Sequence, residues 1–268
     1  MSSPQNPVIK GVRRLLRRAG RDDARAFLIE GARSVVDLLA AGHPVDDVFV
    51  TEQLDVGPEL ERAARGAGAR VHTVAPTVMR AISDTVTPQG AVAVAPMPDV
   101  RLDDLPAGLD LVLVIDGVSD PGNAGTLLRS AVAAGADAVV FAEGSADPFS
   151  PKTVRAAAGA VFGVPIVRGG AIGTIASALR ETGLRIVAAD ATAGRDATTA
   201  DLTAPLALVV GNESWGIDDR LEVDEGIAIV MPGSVESLNV GVAGSILLFE
   251  ATRQRRSRTA AVSSTDHG

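Results

Sequence analysis

Six short apolar runs in the second half of the chain constrain its fold more than any other feature. They are LVLVID (111–116), DAVVFA (137–142), VPIV (164–167), LRIVAAD (184–190), LALVVG (206–211) and GIAIVM (226–231). Near-continuous apolar runs of this length, without polar alternation, suit strands covered on both faces. NAGTLLRSAVAAG, SPKTVRAAAGAVF and TIASALRETG lie between them with helical spacing, and VGVAGSILLFEAT follows the last. Strands alternating with helices specify an α/β fold, a mainly parallel sheet with helices on both faces.

Residues 1–95 repeat the alternation on a smaller scale. AFLIE (26–30), DDVFVT (46–51), ARVHTV (69–74) and AVAVA (91–95) read as strands, and GARSVVDLLAAG, PELERAARGAG and APTVMRAIS as amphipathic helices. The Pro- and Asp-rich stretch at 96–109 reads as a linker. This gives an N-terminal α/β domain (1–95), a larger domain (110–256) and a disordered, solvated tail (257–268).

The chain has 268 residues, no Cys and only three His, so disulfides, thiolate metal sites and histidine triads find no support. No metal site is expected. The N-terminus carries no secretory signal and no apolar run spans a bilayer, which points to a cytoplasmic protein without a membrane. A net charge of −8 speaks weakly against nucleic acid, but its distribution speaks otherwise. Lys10, Arg13, Arg14, Arg17, Arg18, Arg21 and Arg25 crowd one segment, and positions 10, 14, 17, 21 and 25 share a helical face. Such a face is either solvated or contacts phosphates.

Three polar clusters follow strand ends, where open α/β sheets bind ligands. VIDGVSDPGNAGTLLR opens a helix near Asn123 and places Arg129 under two turns further on, either for a nearby carboxylate or for a ligand. It lacks GxGxxG, which argues against a dinucleotide-binding oxidoreductase. LVVGNESWGI sets Glu213 and the only Trp of the chain in a turn, where a Trp commonly packs the loop down. IVMPGSVESLNVGVAGSILLFEA offers Ser237 and Asn239 as helix N-caps, one more than a helix needs.

In this order the three segments resemble the signature motifs of SpoU-type RNA 2′-O-ribose methyltransferases of the SPOUT superfamily. The resemblance spans roughly 111–252, and NPVIKGVRRLL with FLIEGARSVVDLLAAG is similar to the family's ribosomal-protein-like RNA-binding domain. It implies a deep trefoil knot, a homodimer formed through the knotted domain, and S-adenosylmethionine as methyl donor. It assigns catalytic positions to Asn123, Arg129, Glu213, Ser237 and Asn239, and donor-binding positions to Gly211, Ile229, Met231 and Leu238. Lys10, Arg13, Arg14, Arg17, Arg18 and Arg33 are the expected RNA contacts. Ser214-Trp215 stand where many members carry Gly-Glu or similar, and Pro232 is displaced relative to an Ile-Pro-Met pattern.

The implied function is methylation of a ribose 2′-hydroxyl in structured RNA, ribosomal RNA in preference to tRNA. The alternatives are a tRNA 2′-O-methyltransferase and a non-catalytic RNA-binding or ribosome-assembly protein on the same fold. Arg129 is expected to clamp a phosphate and orient the hydroxyl, because a guanidinium stays protonated and makes a poor base. Glu213 is expected to orient Arg129 or shape its loop.

Overall fold

The expected strands form, and they sort into two sheets. The structure, a computed structural model, describes the backbone of all residues except Val56, Asp219, Arg220, Glu236 and 266–268, and side chains as far as Arg258. Two units separate between Asp99 and Val100.

The first unit runs α1 (Pro7–Arg14), α2 (Arg18–Ala24), β1 (Ala26–Glu30), α3 (Ala32–Ala40), β2 (Asp47–Thr51), α4 (Gly57–Gly66), β3 (Arg70–Val74), α5 (Pro76–Ile82) and β4 (Ala91–Pro96). Its sheet has the order β1-β4-β2-β3, antiparallel except for β2 with β3. Pro7 and the Asn6 side chain, which accepts from the Val8 N–H at 2.9 Å, start α1 and turn Ile9 and Val12 into the core. The single basic face expected over 10–25 does not form. The chain breaks between α1 and α2, where a Cβ on Gly20 would lie 2.0 Å from the Arg14 carbonyl oxygen. Arg21 turns inward, 3 % exposed, and donates to the Leu15 carbonyl at 2.9 Å. Arg14 pairs with Asp23, Arg18 with Asp22, Arg25 with Asp99 and Arg33 with Asp37. Lys10, Arg13 and Arg17 stay exposed with no side-chain partner among the described residues.

The second unit contains β5 (Leu111–Ile115), α6 (Pro121–Ala134) and β6 (Ala138–Phe141). Next in the chain comes α7 (Pro151–Ala157), then β7 (Ile166–Arg168), α8 (Ile172–Glu181), β8 (Arg185–Ala189), β9 (Leu206–Val210), β10 (Glu225–Ile227) and α9 (Val240–Thr265). Six parallel strands take the order β10-β8-β9-β5-β6-β7. Every residue of β5 is buried: Val112 and Val114 join Ile175 and Leu179 of α8, and Leu113 and Ile115 are buried too. Each such side chain contributes about 1.5–3 kcal/mol on burial, so the continuous apolar pattern is what two covered faces demand.

Five features depart from the sequence reading. SPKTVRAAAGAVF is not one helix: α7 ends at Ala158, whose φ of 48° with Gly159 at 88° forms a left-handed stop. Phe149–Phe162 also belongs with the first unit, where Phe149 and Phe162 pack on Phe27 at centroid distances of 5.0 and 5.7 Å. β10 is only three residues long, so 229–231 leave the sheet. The linker stretch holds a short 3₁₀ turn, Leu102–Asp104, and Val100 bridges to Val167. The expected tail continues α9 to Thr265, since no Gly or Pro interrupts it; 266–268 lie outside the described residues.

Asp47, 13 % exposed at its side chain, ties β2 to β3. It accepts from Arg70 Nε and Nη2 at 2.8 and 2.7 Å and lies 2.7 Å from His72 Nε2. Burial would raise its carboxyl pKa, but the hydrogen bonds and charges of Arg70 and His72 outweigh burial and hold it below the ordinary value. A depressed carboxyl stabilises the fold above its unfolded pKa, and that stability is lost as pH falls through the folded one. Asp47→Asn is expected to cost about 1 kcal/mol at neutral pH. It should also flatten the acid limb of a denaturant-midpoint-versus-pH curve below the ordinary carboxylate value of 3.8.

Candidate active site

β5 and β9 pair in parallel, with Ile115 beside Val210, at the point where strand order reverses across the sheet. Ligands favour the crevice at the carboxyl end of such a switch point. The pairing runs one step further, because the Asp116 N–H donates to the Val210 carbonyl at 2.9 Å. Both loops that follow are therefore held side by side.

After β5 the chain turns at Gly117, φ 70°, and Asp120 caps α6 by accepting from the Asn123 N–H at 2.9 Å. Pro121 takes the first helical position and Gly135 the left-handed stop. After β9 the residues 212–216 close a tight turn. The Asn212 N–H donates to the Gly216 carbonyl at 2.8 Å, and the Gly216 N–H donates back at 2.9 Å. The Asn212 side chain, 7 % exposed with its residue, donates to the Gly117 carbonyl at 2.7 Å and accepts from the Ser214 N–H at 2.8 Å. A Cβ on Gly211 would lie 2.4 Å from the Gly216 carbonyl, so only glycine fits.

The third loop ends at Asn239, whose side-chain oxygen accepts from the Val242 N–H at 3.2 Å. Asn239 is the cap of α9, and exposed Ser237 is the surplus polar residue. A Cβ on Gly244 would lie 2.4 Å from Leu127 Cδ2, so glycine lets α9 close on α6.

These three loops meet through side chains. Asn123 Nδ2 donates to Glu213 Oε1 at 2.7 Å, and Asn239 Nδ2 donates to Asn123 Oδ1 at 3.0 Å. Of the two roles expected for Glu213, orienting Arg129 or shaping its loop, the first is not seen among the described residues, and Glu213 is held by Asn123. Arg129 is exposed on α6 and has no hydrogen bond or ion pair among the described residues, so no carboxylate there claims it. Trp215 does not pack its loop down: it is 72 % exposed.

A cavity of about 570 Å³ opens beside the relay. Gly211, Ile229, Met231 and Leu238 all line it, with Ser237 and Glu213 at its edge and Ile227 and Leu247 in its wall. Sites for drug-sized ligands span about 300–1,000 Å³, mostly apolar with a few fixed polar groups. Aliphatic walls with a rim of backbone and hydroxyl groups fit an adenosyl group carrying an amino-acid end. Asp116, half-buried beside Asp218, has its carboxyl pKa raised by burial; Asp218's charge adds to the rise and its N–H opposes it.

Sequence reasoning missed Asn212, the latch between two motifs, because a polar residue in a turn gives no sign that it is buried. It also missed Asp190 and Thr192, which line the cavity. Their signal was present: Asp190 follows β8 at the same carboxyl edge and accepts from Thr192 Oγ1 at 2.7 Å.

This geometry has counterparts among known proteins. Residues 110–249 match the model of the SpoU rRNA methylase family, and residues 6–93 that of the MRM3-like substrate binding domain. The chain therefore belongs to the SpoU methyltransferase family. It is 34 % identical over 251 residues to the 23S rRNA (guanosine(2553)-2′-O)-methyltransferase RlmP of Bacillus subtilis, covering 93 % of this chain and 97 % of that one. It is 33 % identical over 250 residues to a 23S rRNA (uridine(2479)-2′-O)-methyltransferase of Streptomyces viridochromogenes, covering 90 % and 87 %. Among solved structures, an AdoMet-bound rRNA methyltransferase from Sinorhizobium meliloti superposes with a TM-score of 0.83 at 32 % identity, over 94 % of this chain and 97 % of that one.

Because a Cβ on Gly211 would meet the Gly216 backbone at 2.4 Å as well as Ile217 Cγ1 at 2.7 Å, Gly211→Ala should force the 212–216 turn off β9. The expected loss is about 1–3 kcal/mol. A thermal melt should show it as a midpoint several degrees lower.

Proposed function

We propose that this protein transfers a methyl group from S-adenosylmethionine to a ribose 2′-hydroxyl of ribosomal RNA. The observation that carries the reading is the Glu213–Asn123–Asn239 relay joining all three motifs at the rim of a cavity of donor size. The ribosomal substrate is supported by the activities named for the relatives above.

Gly211, Ile229, Met231 and Leu238 would hold the donor. When bound, S-adenosylmethionine supplies an electrophilic methyl carbon and a neutral leaving group. The chain's task is to align a sugar oxygen, and such positioning can contribute about 7–11 kcal/mol to a barrier. Arg129 is suited to clamp an RNA phosphate and polarise the adjoining hydroxyl, since its guanidinium has no competing partner among the described residues. A substrate phosphate then takes the proton that a guanidinium cannot. After the relay bonds form, Glu213 keeps a carboxylate oxygen and Asn239 an amide N–H for the ribose; Ser237 adds a hydroxyl nearby. Lys10, Arg13 and Arg17 suit phosphate contacts that supply affinity without sequence choice. Arg14, Arg18 and Arg33 join them by exchanging surface carboxylates for phosphates.

The assembly proposed is a homodimer, its C-terminal loops threaded as a trefoil knot as the family resemblance implies. Exposed Val242, Ile246 and Phe249 recur along one side of α9, an apolar stripe that water does not favour. No helix among the described residues is long and apolar enough to cross a membrane, and a ribosomal RNA substrate suits the cytoplasm.

Arg129→Ala should abolish tritiated-methyl incorporation into unmodified ribosomal RNA and leave the calorimetric affinity for S-adenosylhomocysteine within about twofold; near-normal turnover would refute the role of Arg129. Phe249→Glu should shift the protein from dimer to monomer in sedimentation equilibrium, and an unchanged mass would rule out the α9 face.

A further inference from the structure

Trp215 is the only Trp in a chain with no Tyr. At 72 % exposure it keeps most of an aromatic surface in water, an arrangement that burial would improve. The turn that carries it is rigid: two backbone bonds close 212–216, and the buried Asn212 side chain pins the turn to Gly117. Gly216 sits at φ 73°, so the backbone beside the indole is fixed in a conformation glycine favours. The indole edge overhangs bare backbone, since a Cβ on Gly117 would lie 3.9 Å from Trp215 Nε1. Two residues earlier in the same turn, Glu213 holds Asn123 of the relay. Among the described residues the only other exposed Phe or Trp is Phe249 at 50 %, on α9.

We propose that the Trp215 indole is a stacking platform for an unpaired base of the RNA substrate, next to the nucleotide whose ribose reaches the relay. The inference rests on the methyltransferase reading above and deepens it. The donor is the weaker candidate for this ring. Enclosed ligand sites bury about 70–90 % of a ligand's surface. The aliphatic wall of Ile227, Ile229, Leu238 and Leu247 offers that enclosure; Trp215 also lines the cavity, but at 72 % exposure its ring leaves most of its surface to a second, solvent-side ligand. RNA arrives from the solvent side, where Glu213 and Asn239 are exposed. Proteins read single-stranded RNA by stacking splayed bases on aromatic rings, and the stack tolerates any base. The platform therefore fixes the orientation of the nucleotide and leaves sequence choice to other contacts.

The single indole makes the test direct. In the wild-type protein, tryptophan emission should be red-shifted and open to acrylamide quenching. Saturating S-adenosylhomocysteine should leave that quenching nearly unchanged, while an unmodified transcript of large-subunit ribosomal RNA should shield the ring. Trp215→Ala should raise KM for the transcript by about tenfold with kcat little changed, and Trp215→Phe should restore most of the loss. Shielding in the free protein, shielding by S-adenosylhomocysteine alone, or an indole indifferent to bound RNA would each overturn the inference. If S-adenosylhomocysteine fails to bind at all, the methyltransferase reading falls and takes this inference with it. Normal uptake with an unresponsive indole removes only the platform.

Discussion

The parallel pairing of β5 with β9 is the constraint on which the site depends. Neither strand is polar and neither carries a catalytic side chain; both are buried throughout. Their register brings Ile115 beside Val210, and from there the backbone bond from Asp116 and the Asn212 latch to Gly117 lock the two following loops together. Without that apolar pairing, Asn123 and Glu213 would belong to unrelated loops. Side-chain chemistry at the rim is thus set by hydrophobic burial beneath it.

The second constraint is close approach of backbone. Glycine at 211 lets the turn fold onto its own strand, and glycine at 244 lets α9 seat against Leu127 of α6. That seating brings Asn239, the cap of α9, within reach of Asn123. One asparagine therefore satisfies a free backbone N–H at the start of the helix and completes the relay. A helix cap and a site residue are the same side chain, and the other candidate cap, Ser237, lines the cavity instead.

Much of this was legible in the sequence. Except at β10, the apolar runs marked the strands within a residue or two because burial on both faces leaves no other pattern, and strand-end polar clusters marked the loops of the site. What failed did so for local reasons. Spacing alone placed Arg21 on a basic face, but Gly20 and the break after α1 turn it inward onto the Leu15 carbonyl. SPKTVRAAAGAVF has the composition of a helix, and nothing in it announces the left-handed stop at Ala158 or the packing of Phe149 on Phe27. Partner choice was also hidden: Glu213 was expected either to orient an arginine or to shape its loop, and the geometry of the turn gives it an amide.

The relay spans the chain: its hydrogen bonds join residues 90 and 116 positions apart. No fragment that stops short of α9 contains all of it. While this protein is being synthesised, Asn123 and Glu213 emerge well before Asn239 and its helix. A growing chain therefore lacks the complete relay until Asn239 has been added and the start of its helix has formed.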